Sequence, residues 1–206
     1  HKPSSEFPFH RAIYEARPDI RSIVHAHPMA LVAFSISKKV PDTKLIPQTY
    51  RWNGQVGFAP YGVPGSEDLG QKIAAKFADG YDSVVLESHG VCCGGKNLQD
   101  AFQRFETLEL CCKTEIKASM LGEPKFLSEQ QLQLESKSDV QMGSFEYDPG
   151  MMSIREKELR NTICQFVERG YRQRLLTGST GTFSARIDEH SFLITPRPLD
   201  RFSVLP

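Results

Sequence analysis

The run Ser22-Ile23-Val24-His25-Ala26-His27-Pro28 decides how this chain is read. Its β-branched residues favour an extended backbone, and the proline restricts the residue before it, so a buried strand is expected whose end points toward a site. Side chains alternate across a strand, so His25 and His27, two apart, project from the same face and can reach one metal ion. For an isolated pair of this kind, ordinary surface hydrogen bonding is an equally good reading.

Upstream, Phe9, Ile13 and Ala16 recur at helical spacing within residues 7–17, and Arg17-Pro18-Asp19 ends that helix. Downstream, a second helix is expected from about Met29 to Ser37, followed by a loop rich in Lys, Pro and Thr. A strand is expected over Val56–Ala59, and Ser66-Glu67-Asp68 caps an amphipathic helix running through Phe77. Ser83-Val84-Val85-Leu86-Glu87-Ser88-His89-Gly90 is another apolar strand; Gly94-Gly95 then reads as a turn before a long helix from about Leu98 to Met120. Strands alternating with helices make a layered α/β domain. Residues 122–152 are polar, without a sustained periodic face, and read as a linker or surface segment. Beyond them the pattern predicts a charged helix over Ile154–Tyr171, a tight polar turn over 177–182 and a hairpin of Phe183–Ile187 with Phe192–Thr195.

Composition narrows the function. The chain has 206 residues, 39% hydrophobic and 24% charged, with 25 Lys+Arg against 25 Asp+Glu, which suits a folded domain. A net charge of zero gives no basic field for phosphate backbones, so no nucleic-acid partner is expected. No apolar stretch approaches the roughly 18 to 20 residues of a membrane span, and the opening His1-Lys2-Pro3-Ser4-Ser5 does not read as a signal peptide. Five cysteines, an odd number without a CxxC pair, indicate neither a disulfide framework nor a thiolate zinc site, and a reducing cytoplasm is the expected location. The adjacent Cys92 and Cys93 read as small core residues rather than reactive thiols.

Two further residues bear on the histidine pair. His89 closes a different strand, and Gly90 after it would let the backbone turn sharply. Parallel strands of one sheet bring their carboxyl ends to one rim, where His25, His27 and His89 can converge, although a lone strand-end histidine is more often simply hydrogen-bonded. Glu6 can serve as a fourth ligand or as an acid/base; from spacing alone, a helix cap with an acidic first turn is the better reading.

Taken together, Pro3-Ser4-Ser5-Glu6 with His10, the segment Ala16-Arg17-Pro18-Asp19 through His25-Ala26-His27-Pro28, Ala59-Pro60-Tyr61, Glu87-Ser88-His89-Gly90 and the helix carrying Ala101 and Arg104 to Glu109 resemble the class II aldolase/adducin family. The resemblance covers most of the chain. It implies a three-layer α/β/α sandwich and a zinc ion held by His25, His27 and His89, with Glu6 as the catalytic carboxylate that also contacts the resting metal. It further implies a zinc-dependent aldolase of the fuculose-phosphate type, reversibly cleaving a small ketose or sugar phosphate through a metal-stabilised enediolate. Relatives on this fold run epimerase, dehydratase or decarboxylase reactions, and an adducin-like interaction module is the non-catalytic alternative. In such enzymes a tyrosine protonates the aldehyde oxygen; Tyr50 and Tyr61 are both near in sequence.

The same resemblance makes Ser4, Ser5, Gly181, Thr182 and Arg197 substrate-binding candidates, with Thr182 where an Asn is usual and Thr195-Pro196-Arg197-Pro198 replacing Thr-Pro-Ser-Gly. It implies a homo-oligomer, a fourfold ring in the family. It divides the chain into residues 1–121, an aldolase-like domain without its usual amino-terminal part, the segment 122–152, and residues 153–206, which resemble that missing part. This inverted order fits an excerpt of a tandem protein with two aldolase-like domains, the favoured account, or a chain whose amino-terminal portion and connecting loop are absent from this numbering.

Overall fold

The computed structural model describes residues 1–137, 152–196 and 204–205. The chain divides into two units, His1–Lys137 and Ser138–Pro206. In the first, the order is α1 (Phe7–Ala16), β1 (Ser22–Ala26), α2 (Met29–Ile36), a 3-10 turn (Thr43–Leu45), α3 (Pro47–Asn53), β2 (Gly57–Ala59), α4 (Glu67–Ala78), β3 (Ser83–Leu86), β4 (Gly90–Gly95), α5 (Leu98–Leu121) and α6 (Glu129–Lys137).

The four strands form one sheet in the order β1-β4-β3-β2. Strand β4 is antiparallel to both β1 and β3, and β2 is parallel to β3. Strands β1, β2 and β3 therefore run the same way, and their carboxyl ends share one rim, as the sequence predicts. The strand between them was not anticipated: Gly94-Gly95, read as a turn, lies in β4 and pairs with Ile23 and Ser22. These glycines serve close packing, because a Cβ at Gly95 would stand 2.5 Å from the Ala101 amide nitrogen.

Alternation along the strands builds two cores. Val84, Leu86 and Cys92 face one side, where they meet Phe9 and Ile13 of α1 and Leu69, Ile73 and Phe77 of α4. Val85, Val91 and Cys93 face the other, against Leu31 and Phe34 of α2 and Leu108 and Cys112 of α5. Helices on both faces of a sheet make the three-layer α/β/α arrangement. Each fully buried Val, Leu, Ile or Phe here contributes roughly 1.5–3 kcal/mol through apolar surface removed from water. Cys92 and Cys93 are fully buried core residues, and burial pushes the Cys93 thiol up to about 12.

Local signals explain most helix boundaries. Ser66 caps α4 by accepting the Leu69 N–H at 3.1 Å, and Asn97 caps α5 by accepting the Asp100 N–H at 2.8 Å. Two elements depart from the sequence reading. Helix α3 occupies part of the presumed Lys/Pro/Thr loop, held by Thr49, which donates to the Thr43 carbonyl. The segment 122–152, read as a linker, contains α6; Leu132 on it is buried, and Leu127 donates its N–H to the Lys44 carbonyl at 2.9 Å. A side-chain bond within the loop holds the first feature, and a contact far back along the chain holds the second.

The second unit, described by itself, holds α7 (Ile154–Arg172) and a hairpin of β5 (Ser184–Arg186) and β6 (Phe192–Ile194). Ser153 caps α7, accepting the Glu156 N–H at 3.1 Å. The turn before the hairpin is tied by hydroxyls, with Thr180 Oγ1 accepting the Thr177 N–H at 2.7 Å. Among the described residues no helix is long and apolar enough to cross a membrane.

Candidate metal centre

The register of the sheet brings three histidines together. His25 lies opposite Cys92, on the face covered by α1, and His27 follows β1 on that same side. His89 stands in the three-residue turn joining β3 to β4. Ser88 takes a left-handed backbone there, with φ of 54°, so the sharp bend expected of Gly90 is made by Ser88 instead. Gly90 has a different function: a Cβ on it would stand 2.6 Å from the Ala26 carbonyl oxygen and 2.7 Å from His27 Cδ2.

One ligand nitrogen from each of His25, His27 and His89 lies within 4.8 Å of the other two. The ring centroids are 4.8, 5.0 and 4.9 Å apart. Nitrogen ligands at about 2.0–2.1 Å around a tetrahedral ion stand roughly 3.4 Å apart, a spacing of the same order as that of these nitrogens.

Hydrogen bonding fixes the chemistry of His25. Its Nδ1 is 2.9 Å from the Val91 carbonyl, which can only accept, so Nδ1 carries the proton and Nε2 presents a lone pair. That Nε2 is buried and has no hydrogen-bond partner. An orphaned buried acceptor is costly, and a cation would satisfy it. Burial, opposed by the Val91 bond and aided by the other rings, lowers the His25 pKa to about 4, which keeps the ring neutral and ligand-competent at neutral pH. Burial also lowers His89, partly offset by Glu6.

Glu6 occupies the position before α1, but its side chain does not cap the helix. Its carboxylate turns instead to His89, with Oε1 at 4.0 Å from Nε2, while Oε2 is buried without a partner. The helix-cap reading of Glu6 fails for this reason, and the acid is free to meet a metal or a proton. Three imidazoles and a carboxylate form a borderline donor set that suits zinc and related divalent ions.

The remaining candidates are distributed unevenly. Ser4 and Ser5 are exposed beside Glu6, and Ser4 Oγ accepts the Glu6 N–H at 3.3 Å. Tyr61 follows the carboxyl end of β2 on the histidine rim, with its N–H donated to Glu87 Oε2 at 3.0 Å. Tyr50 lines a cleft of about 400 Å³ with Trp52, Tyr81 and Arg104, at the amino ends of β2 and β3 and away from the histidines. Gly181 and Thr182 are exposed in the second unit, and Arg197 lies outside the described residues. The Val91 carbonyl and Gly90's close approach had no signal in the sequence, since both depend on strand register.

Residues 1–116, more than half of the chain, match the family model of the class II aldolase and adducin N-terminal domain. The chain belongs to this family. Among curated relatives, 3-oxo-tetronate 4-phosphate decarboxylase of Pectobacterium atrosepticum is 36% identical over 116 residues, covering 54% of this chain and 53% of the relative. 5-Deoxy-D-ribulose 1-phosphate aldolase of Bacillus thuringiensis is 32% identical, covering 64% and 61%. L-Fuculose phosphate aldolase of Methanococcus maripaludis is 31% identical, covering 59% and 65%. The chain thus spans between half and two thirds of the length of these relatives. Among solved structures, an L-fuculose 1-phosphate aldolase superposes with a TM-score of 0.57 at 31% identity, covering 64% of this chain and 61% of that one. The family includes the class II aldolases, and the histidine cluster of this chain is a group that could hold a metal ion.

Proposed function

We propose that this chain carries the centre of a zinc-dependent sugar-phosphate aldolase, an aldehyde-lyase that reversibly cleaves a small ketose phosphate into a ketone and an aldehyde. The observation that carries this reading is the buried, unpartnered Nε2 of His25, set by the Val91 carbonyl and facing His27 and His89. The names of the aldolase relatives support the substrate class.

His25, His27 and His89 would hold the ion, with Glu6 beside them. The ion supplies Lewis-acid charge next to the oxygens that become negative as the carbon–carbon bond breaks. Glu6 carries the proton to and from the donor carbon, a task suited to a carboxylate with one unpartnered buried oxygen. Tyr61 exchanges the proton on the aldehyde oxygen; it is preferred over Tyr50 because only Tyr61 follows a strand end on the histidine rim. Ser4 and Ser5 contribute hydroxyls to the phosphate, and Gly181, Thr182 and Arg197 are assigned to substrate binding on the family resemblance. A homo-oligomer, tetrameric by that resemblance, and a cytoplasmic location consistent with five free cysteines complete the reading.

A second reading, decarboxylation of a 3-oxo acid phosphate, is favoured by the 36% identical relative. The test is incubation of the zinc-loaded protein with ketose phosphates and, separately, a 3-oxo acid phosphate, with aldehyde and carbon dioxide measured in parallel. Aldehyde release abolished by a chelator is expected. Carbon dioxide without aldehyde would select the decarboxylase, and neither product from a metal-loaded chain would favour an adducin-like module.

A further inference from the structure

Helix α2 begins two residues after His27, and its first turn lacks local partners for its free amides. The residue before it is Pro28, whose side chain accepts nothing, and no acidic residue stands in its first turn. The acceptor comes from α5, far along the chain. Glu109, only 8% exposed, takes the Ala30 N–H on Oε1 at 3.3 Å and the Leu31 N–H on Oε2 at 3.0 Å. Lys113, one turn further on α5, stands 3.0 Å from Oε1. A carboxylate so deeply placed is costly to desolvate, and two amides at the positive end of a helix with a cation beside it offset that cost.

This clamp acts where the metal centre is least supported. The His25 ring is held by the Val91 carbonyl, and His89 by the tight turn at Ser88. His27 is the exposed member of the trio, carried on backbone between β1 and α2. We propose that Glu109 is a positioning residue for the metal centre: by tying the first turn of α2 to α5, it fixes the His27-Pro28 backbone and so the approach of the His27 imidazole to the ion. The inference rests on the metal-centre reading above. A purely structural cap would support the fold without affecting the ion.

The test is cobalt(II) titration of the metal-free parent chain and of Glu109→Ala, Glu109→Gln and Ser66→Ala, followed by visible absorption and by competition with a chelator. Ser66→Ala removes the cap of α4, on the opposite face of the sheet from α2, and reports the effect of a lost helix cap that leaves α2 untouched. Glu109→Ala is expected to bind cobalt about tenfold more weakly, with an altered spectrum, as loss of support for a ligand typically costs ten- to a hundredfold. Glu109→Gln, which keeps one acceptor oxygen, should fall between parent and alanine variant, and it carries the test if Glu109→Ala does not fold. Ser66→Ala should melt at a lower temperature with parental affinity and spectrum. Parental affinity and spectrum in the Glu109 variants, or an equal loss in Ser66→Ala, would overturn the inference while leaving the metal centre standing. A parent chain that takes up no cobalt would overturn the metal-centre reading and this inference with it.

Discussion

At His25 one hydrogen bond selects the function of the ring. The Val91 carbonyl fixes the proton on Nδ1, and burial keeps the imidazole neutral, with a pKa of about 4 against an ordinary 6.5. Between those values the unfolded chain binds the proton and the folded chain does not, so stability of the metal-free protein rises with pH across this window and is lost as pH falls toward 4. After allowance for partial exposure, the contribution is on the order of 2 kcal/mol. Urea midpoints of chelator-treated protein should therefore drop between pH 7 and pH 5, and His25→Gln should flatten that slope. An unchanged slope would mean that His25 is not buried neutral. Glu6 gives a second expectation at this scale. If it carries the proton as proposed, replacing it with Gln removes that carrier but leaves three imidazoles, so aldehyde formation should fall by about 10²–10⁴-fold, with metal retained at near-stoichiometric levels on elemental analysis.

At the scale of elements, strand pairing sets the site. Strand β4 runs back between β1 and β3, which brings the end of β1 beside the turn that carries His89. Gly90 makes that approach possible, because Ala26 and His27 occupy the space a Cβ would need. Gly90→Ala is expected to cost about 1–3 kcal/mol, since backbone must shift, and to weaken metal binding as well; a thermal melt and a chelator competition check both effects. The periodic elements were legible beforehand. Apolar spacing and caps announced α1, α4, α5 and α7, and the β-branched runs announced β1 and β3. Strand β4 was hidden because its Gly94-Gly95 end resembles a turn and is glycine-rich for packing. Helix α3 was hidden because Pro47–Asn53 is a short polar run held by the hydroxyl of Thr49 on the nearby Thr43 carbonyl, and α6 because Leu127 finds its partner at Lys44, far back in the chain. The same limit applies to Glu109, whose amide partners lie 78 and 79 residues away.

Across the whole molecule, the first unit places two independent cores on either side of one sheet and leaves the common rim of β1, β2 and β3 to carry polar chemistry. His25, His27 and His89 were legible as a convergent set because strands running the same way share a rim, even though β4, which lies between β1 and β3, was not. The family resemblance supplied the role of Glu6, and the geometry adds that its carboxylate is not used as a cap. The second unit contributes α7 and a hairpin with Gly181 and Thr182 in the turn between them, which the family resemblance assigns to the substrate. Metal content after purification without chelator tests the central claim most directly. One equivalent of zinc per chain is expected, lost in His25→Gln and in His89→Gln while both variants stay folded. A folded parent chain with no bound divalent metal, even after incubation with excess zinc, would contradict it.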